Sequence, residues 1–278
     1  MPLSTVVAFT LAAATSEPSL HRCGDSFLRA GEHELHVKDW GRPGDVTVLF
    51  ESGNGNDGNV WDDMAKRLRD RGLRTIQYDR AGLGQSGPRP GEHYDVVREV
   101  SVIGELLDHC LVSAPVLLVA HSYGGMTGLM LAERDERIAA VLLLDAIIPD
   151  DPTPDRVEAI LEEYRPQYAA VREAAPALAD HIIPLMEAWP QSAAIFANVE
   201  LDPRLPIYSL VTDGALATET EQRDWRASHR AFATASPYRF VRIDESAGHK
   251  VVAERPDWVE ASAMQLVEWI RGGKARGE

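Results

Sequence analysis

Along most of the chain, short apolar runs alternate with segments in which apolar residues return every three or four positions. The runs fall at residues 27–30, 34–40, 46–51, 75–78, 115–120, 138–145, 205–212 and 239–243, which predicts eight strands. The first two are close enough to pair as an antiparallel hairpin, whereas the others are separated by helix-length intervals. Trp61, Met64, Ala65 and Leu68 share one helical face, as do Val96, Val100, Ile103 and Leu107, and later Val259, Ala263, Leu266 and Ile270. Strands that alternate with helices in this way predict an α/β class: a mostly parallel eight-stranded sheet with helices on both faces.

Residues 147–203 interrupt the alternation. They are rich in Ala, Glu and Leu, are punctuated by prolines and contain no strand pattern, so they are read as a helical cap inserted into the core. The resulting division is an N-terminal extension at 1–20, core segments at 21–146 and 204–278, and the cap at 147–203. Tyr164, Tyr168, Met186, Trp189 and Phe196 are the cap residues that would line a pocket over the core.

Composition narrows the function classes. The 278 residues carry 43 acidic and 28 basic side chains, a formal charge of −15, which repels phosphate backbones and anionic lipid surfaces; neither a nucleic-acid nor a membrane partner is expected. Cys23 and Cys110 stand far apart with no Cys/His pairing of metal-ligand spacing, so the reading expects neither a disulfide framework nor a metal site. An apolar run at 6–14 is too short to span a bilayer and has no Lys or Arg ahead of it. A cytoplasmic location is expected on these grounds, with secretion the alternative if that run acts as a signal.

Chemistry concentrates in Val116-Leu117-Leu118-Val119-Ala120-His121-Ser122-Tyr123-Gly124-Gly125, an apolar strand running through a tight turn into a helix. Small residues two positions on either side of Ser122 suit a nucleophile elbow, in which a serine hydroxyl is presented above the sheet. A serine that merely caps the following helix is the structural alternative.

With this elbow, the chain resembles the α/β-hydrolase superfamily over nearly its whole length. Three further stretches carry the resemblance: Phe50-Glu51-Ser52-Gly53-Asn54-Gly55, Tyr78-Asp79-Arg80-Ala81-Gly82-Leu83-Gly84-Gln85-Ser86, and Ala247-Gly248-His249. Departures are Ala120 in place of the usual first glycine and Ser52-Gly53 where many members have His-Gly. The resemblance implies Ser122 as nucleophile, His249 as base, and an oxyanion hole made by the backbone N–H groups of Tyr123 and Asn54. Asp79-Arg80 is expected to brace loops, and His121 to pack beside the site.

Two aspartates compete to orient His249. Asp145 closes the sixth strand and Asp213 the seventh; after Asp213 the sequence offers no acid at the offset usual in the superfamily, which shifts the weight to Asp145. The reaction implied is hydrolysis of a carboxylic ester or lactone through an acyl-enzyme, with a small-molecule substrate and no cofactor or metal. A non-catalytic binding or signalling protein on the same fold, a carbon–carbon bond hydrolase and a cofactor-free perhydrolase are the alternatives.

Overall fold

A computed structural model describes residues 23–273 except 43, 45, 92, 152 and 217; the N-terminal extension and its apolar run lie outside the described residues. The strands are β1 (Asp25–Ala30), β2 (His33–Trp40), β3 (Thr47–Glu51), β4 (Arg74–Tyr78), β5 (Val116–His121), β6 (Ile138–Leu144), β7 (Ile207–Val211) and β8 (Arg239–Ile243). They form one sheet in the order β1-β2-β4-β3-β5-β6-β7-β8. The β1–β2 and β2–β4 pairs are antiparallel and the rest parallel.

The central strands are apolar on both sides because both faces are covered. Leu118, Ala120, Val141 and Leu143 point into one core cluster, which α2 (Val96–His109) and α3 (Gly124–Arg134) close. Leu117, Val119, Leu142 and Leu144 point the opposite way, against α1 (Asp62–Asp70) and α10 (Pro256–Arg271). Alternate residues of one strand thus feed two cores, as a two-residue side-chain period requires.

Strand order reverses between β3 and β5: the chain runs outward from β3 to β4, then crosses to β5 on the other side of β3. Crevices in open α/β sheets form at such a switch point, beyond the strands' carboxyl ends. Glu51 and Ala120 are in register there, so the segments 52–54 and 121–123 leave the sheet side by side.

Between β6 and β7 lie α4 (Pro154–Tyr164), α5 (Tyr168–Ala174), α6 (Pro176–Glu187) and α7 (Trp189–Phe196). Val157, Leu161, Met186 and Ala193 form a small core of their own within these helices. The remaining helices are α8 (Glu219–Thr234) and the short α9 (Val251–Glu254).

One expectation is overturned here. Cys23 and Cys110 form a disulfide, with Cα atoms 5.2 Å apart across 87 residues of sequence. Cys23 lies two residues before the start of β1 and Cys110 caps the end of α2, and the packing of α2 against β1 brings the two thiols together. The spacing in the chain hides a proximity that only the tertiary contact creates.

Candidate active site

Ser122 occupies the turn between β5 and α3 with φ of 54°, the left-handed region that is strained for a residue with a side chain. The turn is held from both sides. Its N–H donates to the carbonyl of Leu144 at 3.2 Å, and its carbonyl accepts from Gly125 and Ile147, each at 3.0 Å. Gly124 is required by close approach, since a Cβ there would lie 2.6 Å from the Glu51 carbonyl oxygen and 2.7 Å from that of Ser52.

His249 arrives on the loop between β8 and α9. Its Nε2 lies 2.9 Å from Ser122 Oγ and its Nδ1 lies 2.7 Å from Asp145 Oδ2. Asp145 follows β6 directly and, at φ of 43°, is also left-handed. Its carboxylate is buried and fully engaged: Oδ1 accepts from the Thr212 N–H at 2.8 Å and from Trp225 Nε1 at 2.9 Å, and Oδ2 accepts from the Gly214 N–H at 2.8 Å. Burial pushes this carboxyl upward, but the bonds from His249 and the Thr212 amide more than offset it and hold the group below the usual carboxylate range.

Asp213 makes no such bond with the imidazole; its Oδ1 accepts from the Ala215 N–H at 2.9 Å and shapes the turn whose amide reaches Asp145. Oxygen and nitrogen atoms of Asp145, Asp213 and His249 do lie within 4.8 Å of one another, a spacing a cation could exploit. The bonds already described, however, occupy both Asp145 oxygens and both His249 nitrogens. Asp244 and Glu245 stay apart from this arrangement, Asp244 pairing with Arg255 at 2.7 Å.

The loop after β3 passes beside the serine. A Cβ on Gly53 would stand 3.2 Å from Ser122 Cβ and 3.0 Å from His121 Nδ1. Arg80, almost fully buried, braces this loop from below: it pairs with Glu51, donates from Nη2 to the Ser52 carbonyl at 2.6 Å and from Nη1 to the Gly53 carbonyl at 3.3 Å. A trans peptide sets C=O and N–H on opposite sides. With the Gly53 carbonyl turned to Arg80, the Asn54 N–H faces away from it. Among the described residues neither this N–H nor that of Tyr123 meets an acceptor in the protein. Two unspent donors flanking a serine hydroxyl are what an oxyanion needs.

Glu51 is itself a node, accepting from Tyr78 Oη at 2.6 Å and Thr127 Oγ1 at 2.9 Å. Asp79 accepts from the N–H groups of Gly58 and Gln85 at 2.7 and 2.8 Å and contacts His36, tying the loops after β3 and β4 to β2. The Asp79-Arg80 pair therefore supports the site's loops without lining it.

Two contacts were invisible in the sequence. His121 Nε2 lies 2.8 Å from the backbone carbonyl of His249, so the residue before Ser122 pins the loop of the imidazole. Burial, with the neighbouring His249, lowers His121 to about 4, which keeps it neutral. Trp225 is the second, donating to Asp145 from α8; no local pattern distinguishes it from a core tryptophan.

Two cavities meet at Ser122. One, of about 410 Å³, lies under the inserted helices and is lined by Tyr164, Met186 and Trp189. Tyr168 and Phe196, expected there as well, pack elsewhere, Tyr168 against the helices' own small core and Phe196 wholly buried in the main one. The other, of about 960 Å³, opens between α1 and α9.

Known proteins give this geometry a context. The sequence signature described as Alpha/beta hydrolase family matches residues 48–262. Non-heme chloroperoxidase CPO-A1 of Kitasatospora aureofaciens is 36% identical over 132 residues, covering 45% of this chain and 46% of that protein. Lipase LipV of Mycobacterium tuberculosis is 31% identical over 161 residues, covering 56% of this chain and 60% of the relative. The chain thus spans about half the length of such curated relatives. A crystal structure from work on carboxylesterases of Nitrososphaera gargenis superposes with a TM-score of 0.69 at 14% identity, covering 89% of this chain and all of that one, a likeness of fold alone. No helix among the described residues is long and apolar enough to cross a membrane.

Proposed function

The chain belongs to the alpha/beta hydrolase family, and on that footing we propose that it is a serine hydrolase that cleaves a carboxylic ester or lactone with Ser122, His249 and Asp145 as its triad. One observation carries the reading: a left-handed serine whose Oγ lies 2.9 Å from an imidazole that is held, 2.7 Å away on its other nitrogen, by a buried carboxylate.

In this mechanism Ser122 Oγ attacks the carbonyl carbon while its proton passes to His249 Nε2. Asp145 fixes the tautomer with hydrogen on Nδ1 and stabilises the imidazolium that forms. Negative charge developing on the carbonyl oxygen is met by the N–H groups of Asn54 and Tyr123, each contributing roughly 2–4 kcal/mol by analogy with donors removed elsewhere. Collapse expels the alcohol, protonated by His249; water, activated by the same nitrogen, then attacks the acyl-enzyme and frees Ser122. All four oxygen-accepting bonds to Asp145 come from donors, so the acid stays ionised throughout.

The test is turnover of p-nitrophenyl acetate together with covalent labelling by a fluorophosphonate. Both are expected in the wild type and absent from Ser122→Ala. A folded wild type that shows neither would return the chain to the binding-protein alternative.

A further inference from the structure

Among the described residues, only Asn54, Ser122 and His249 line both cavities, and these are the residues that the proposed mechanism assigns to the oxyanion, the nucleophile and the base. We propose that the compartment between α1 and α9, outside the inserted helices, is a substrate chamber in its own right: one half of the ester enters it while the other half enters the cap chamber. This deepens the serine-hydrolase reading and rests on it.

A carbonyl carbon poised for attack lies about 3 Å from Ser122 Oγ. Its acyl chain and its alkoxy group leave that trigonal carbon in different directions. Ser122 stands at the seam of two cavities, so groups diverging from its oxygen meet two separate sets of walls. On the cap side the walls include Val157, Ile160, Met186 and Trp189; on the other they include Val60, Met64, Val252, Ala253 and Pro256. The second set comes entirely from core segments, the turn before α1, α1 itself and the α9 region. Both walls are rich in apolar groups, and both volumes fall in the range of pockets that enclose small organic ligands.

The substrate class that follows is an ester with an apolar group of appreciable size on each side of the bond, the larger one seated between α1 and α9. An acetyl or methyl ester would leave one chamber unfilled. Selectivity toward the larger group is set by core residues, so exchanging the cap alone does not transfer it.

Two plugs test this. Val252→Trp narrows the α1–α9 chamber and Ile160→Trp the cap chamber; Ala253→Trp replaces the first if it fails to fold. Two ester series are followed, p-nitrophenyl alkanoates from acetate to octanoate and acetates of alcohols from ethanol to octanol, each expressed as the ratio of kcat/KM for long over short members. Each plug is expected to lower this ratio at least about tenfold in one series, a different series for each plug, and to leave it unchanged in the other. If both plugs depress the same series, or neither moves either ratio, the two-chamber assignment is overturned while the hydrolase reading stands. A wild type that hydrolyses none of the esters and resists the fluorophosphonate overturns the hydrolase reading, and the chamber assignment with it.

Discussion

At the scale of single residues, the choice between two aspartates is now a measurable difference. Asp145 touches the imidazole and Asp213 does not. Asp145→Asn leaves His249 Nδ1 facing an amide that can impose the wrong tautomer, and kcat is expected to fall by about 10⁴ with the fold intact. Asp213→Asn keeps an acceptor for the Ala215 N–H and is expected to lose little; equal losses in the two variants, measured as kcat on p-nitrophenyl acetate, would contradict the assignment. Ser122 and His249, proposed as nucleophile and base, were legible as candidates because each sits in a distinctive local setting, a strand-turn-helix for Ser122 and a strand-loop-helix for His249. The proposed acid was ambiguous for a physical reason: the Asp145 carboxylate follows β6, but its amide cradle, Thr212 and Gly214, follows β7 on either side of Asp213. Sequence alone therefore presents the cradle and its occupant as rival candidates.

Among the elements, strands were readable because central parallel strands are apolar on both faces and leave long uninterrupted runs, as in 116–120 and 138–144. The four-residue α9 was not, since one helical turn has no period to detect. The link between β1 and α2 was missed for a related reason. Cys23–Cys110 joins elements 87 residues apart, and neither cysteine has a neighbour that marks it. Closing so long a loop removes much of the unfolded chain's freedom, about 4–5 kcal/mol on the loop-entropy account. The paired variant Cys23→Ser with Cys110→Ala is expected to unfold at lower urea, with an unfolding free energy smaller by roughly that amount. Dithiothreitol should lower the wild-type midpoint and leave that of the variant where it is. A wild type that contains two free thiols by thiol titration, or whose midpoint ignores the reductant, would refute the bond's contribution.

Over the whole molecule, stability is expected to decline slowly from pH 6.5 toward 4.5 and faster below. Burial holds His121, His181 and His229 at about 4 when folded, whereas an unfolded histidine titrates near its ordinary value of 6.5. Each therefore favours the folded state above pH 6.5, and that advantage is lost as pH falls toward 4, because the unfolded chain takes up a proton the native one refuses. Two buried acids act in the opposite sense. Burial raises Glu99 and Asp151 to about 7, so between pH 7 and the ordinary carboxylate range the native state binds protons that the unfolded state does not. Burial, with Arg98, lowers His33 in the same sense as the three histidines, so the protons favouring the unfolded state outnumber the two favouring the native by at least one, a loss of roughly 1.4 kcal/mol or more per pH unit. Below about 4.5 the depressed carboxyls add to the loss, led by Asp145 with its bonds from His249 and Thr212 and by Asp244, brought to about 2 by Ser246 and Arg255. Urea unfolding at pH 7, 6, 5 and 4 reads the slope directly. Glu99→Gln deletes one compensating acid and is expected to steepen the upper segment by about one proton; a variant whose upper segment stays as shallow as the wild type's would show that Glu99 does not take up its proton in the folded state.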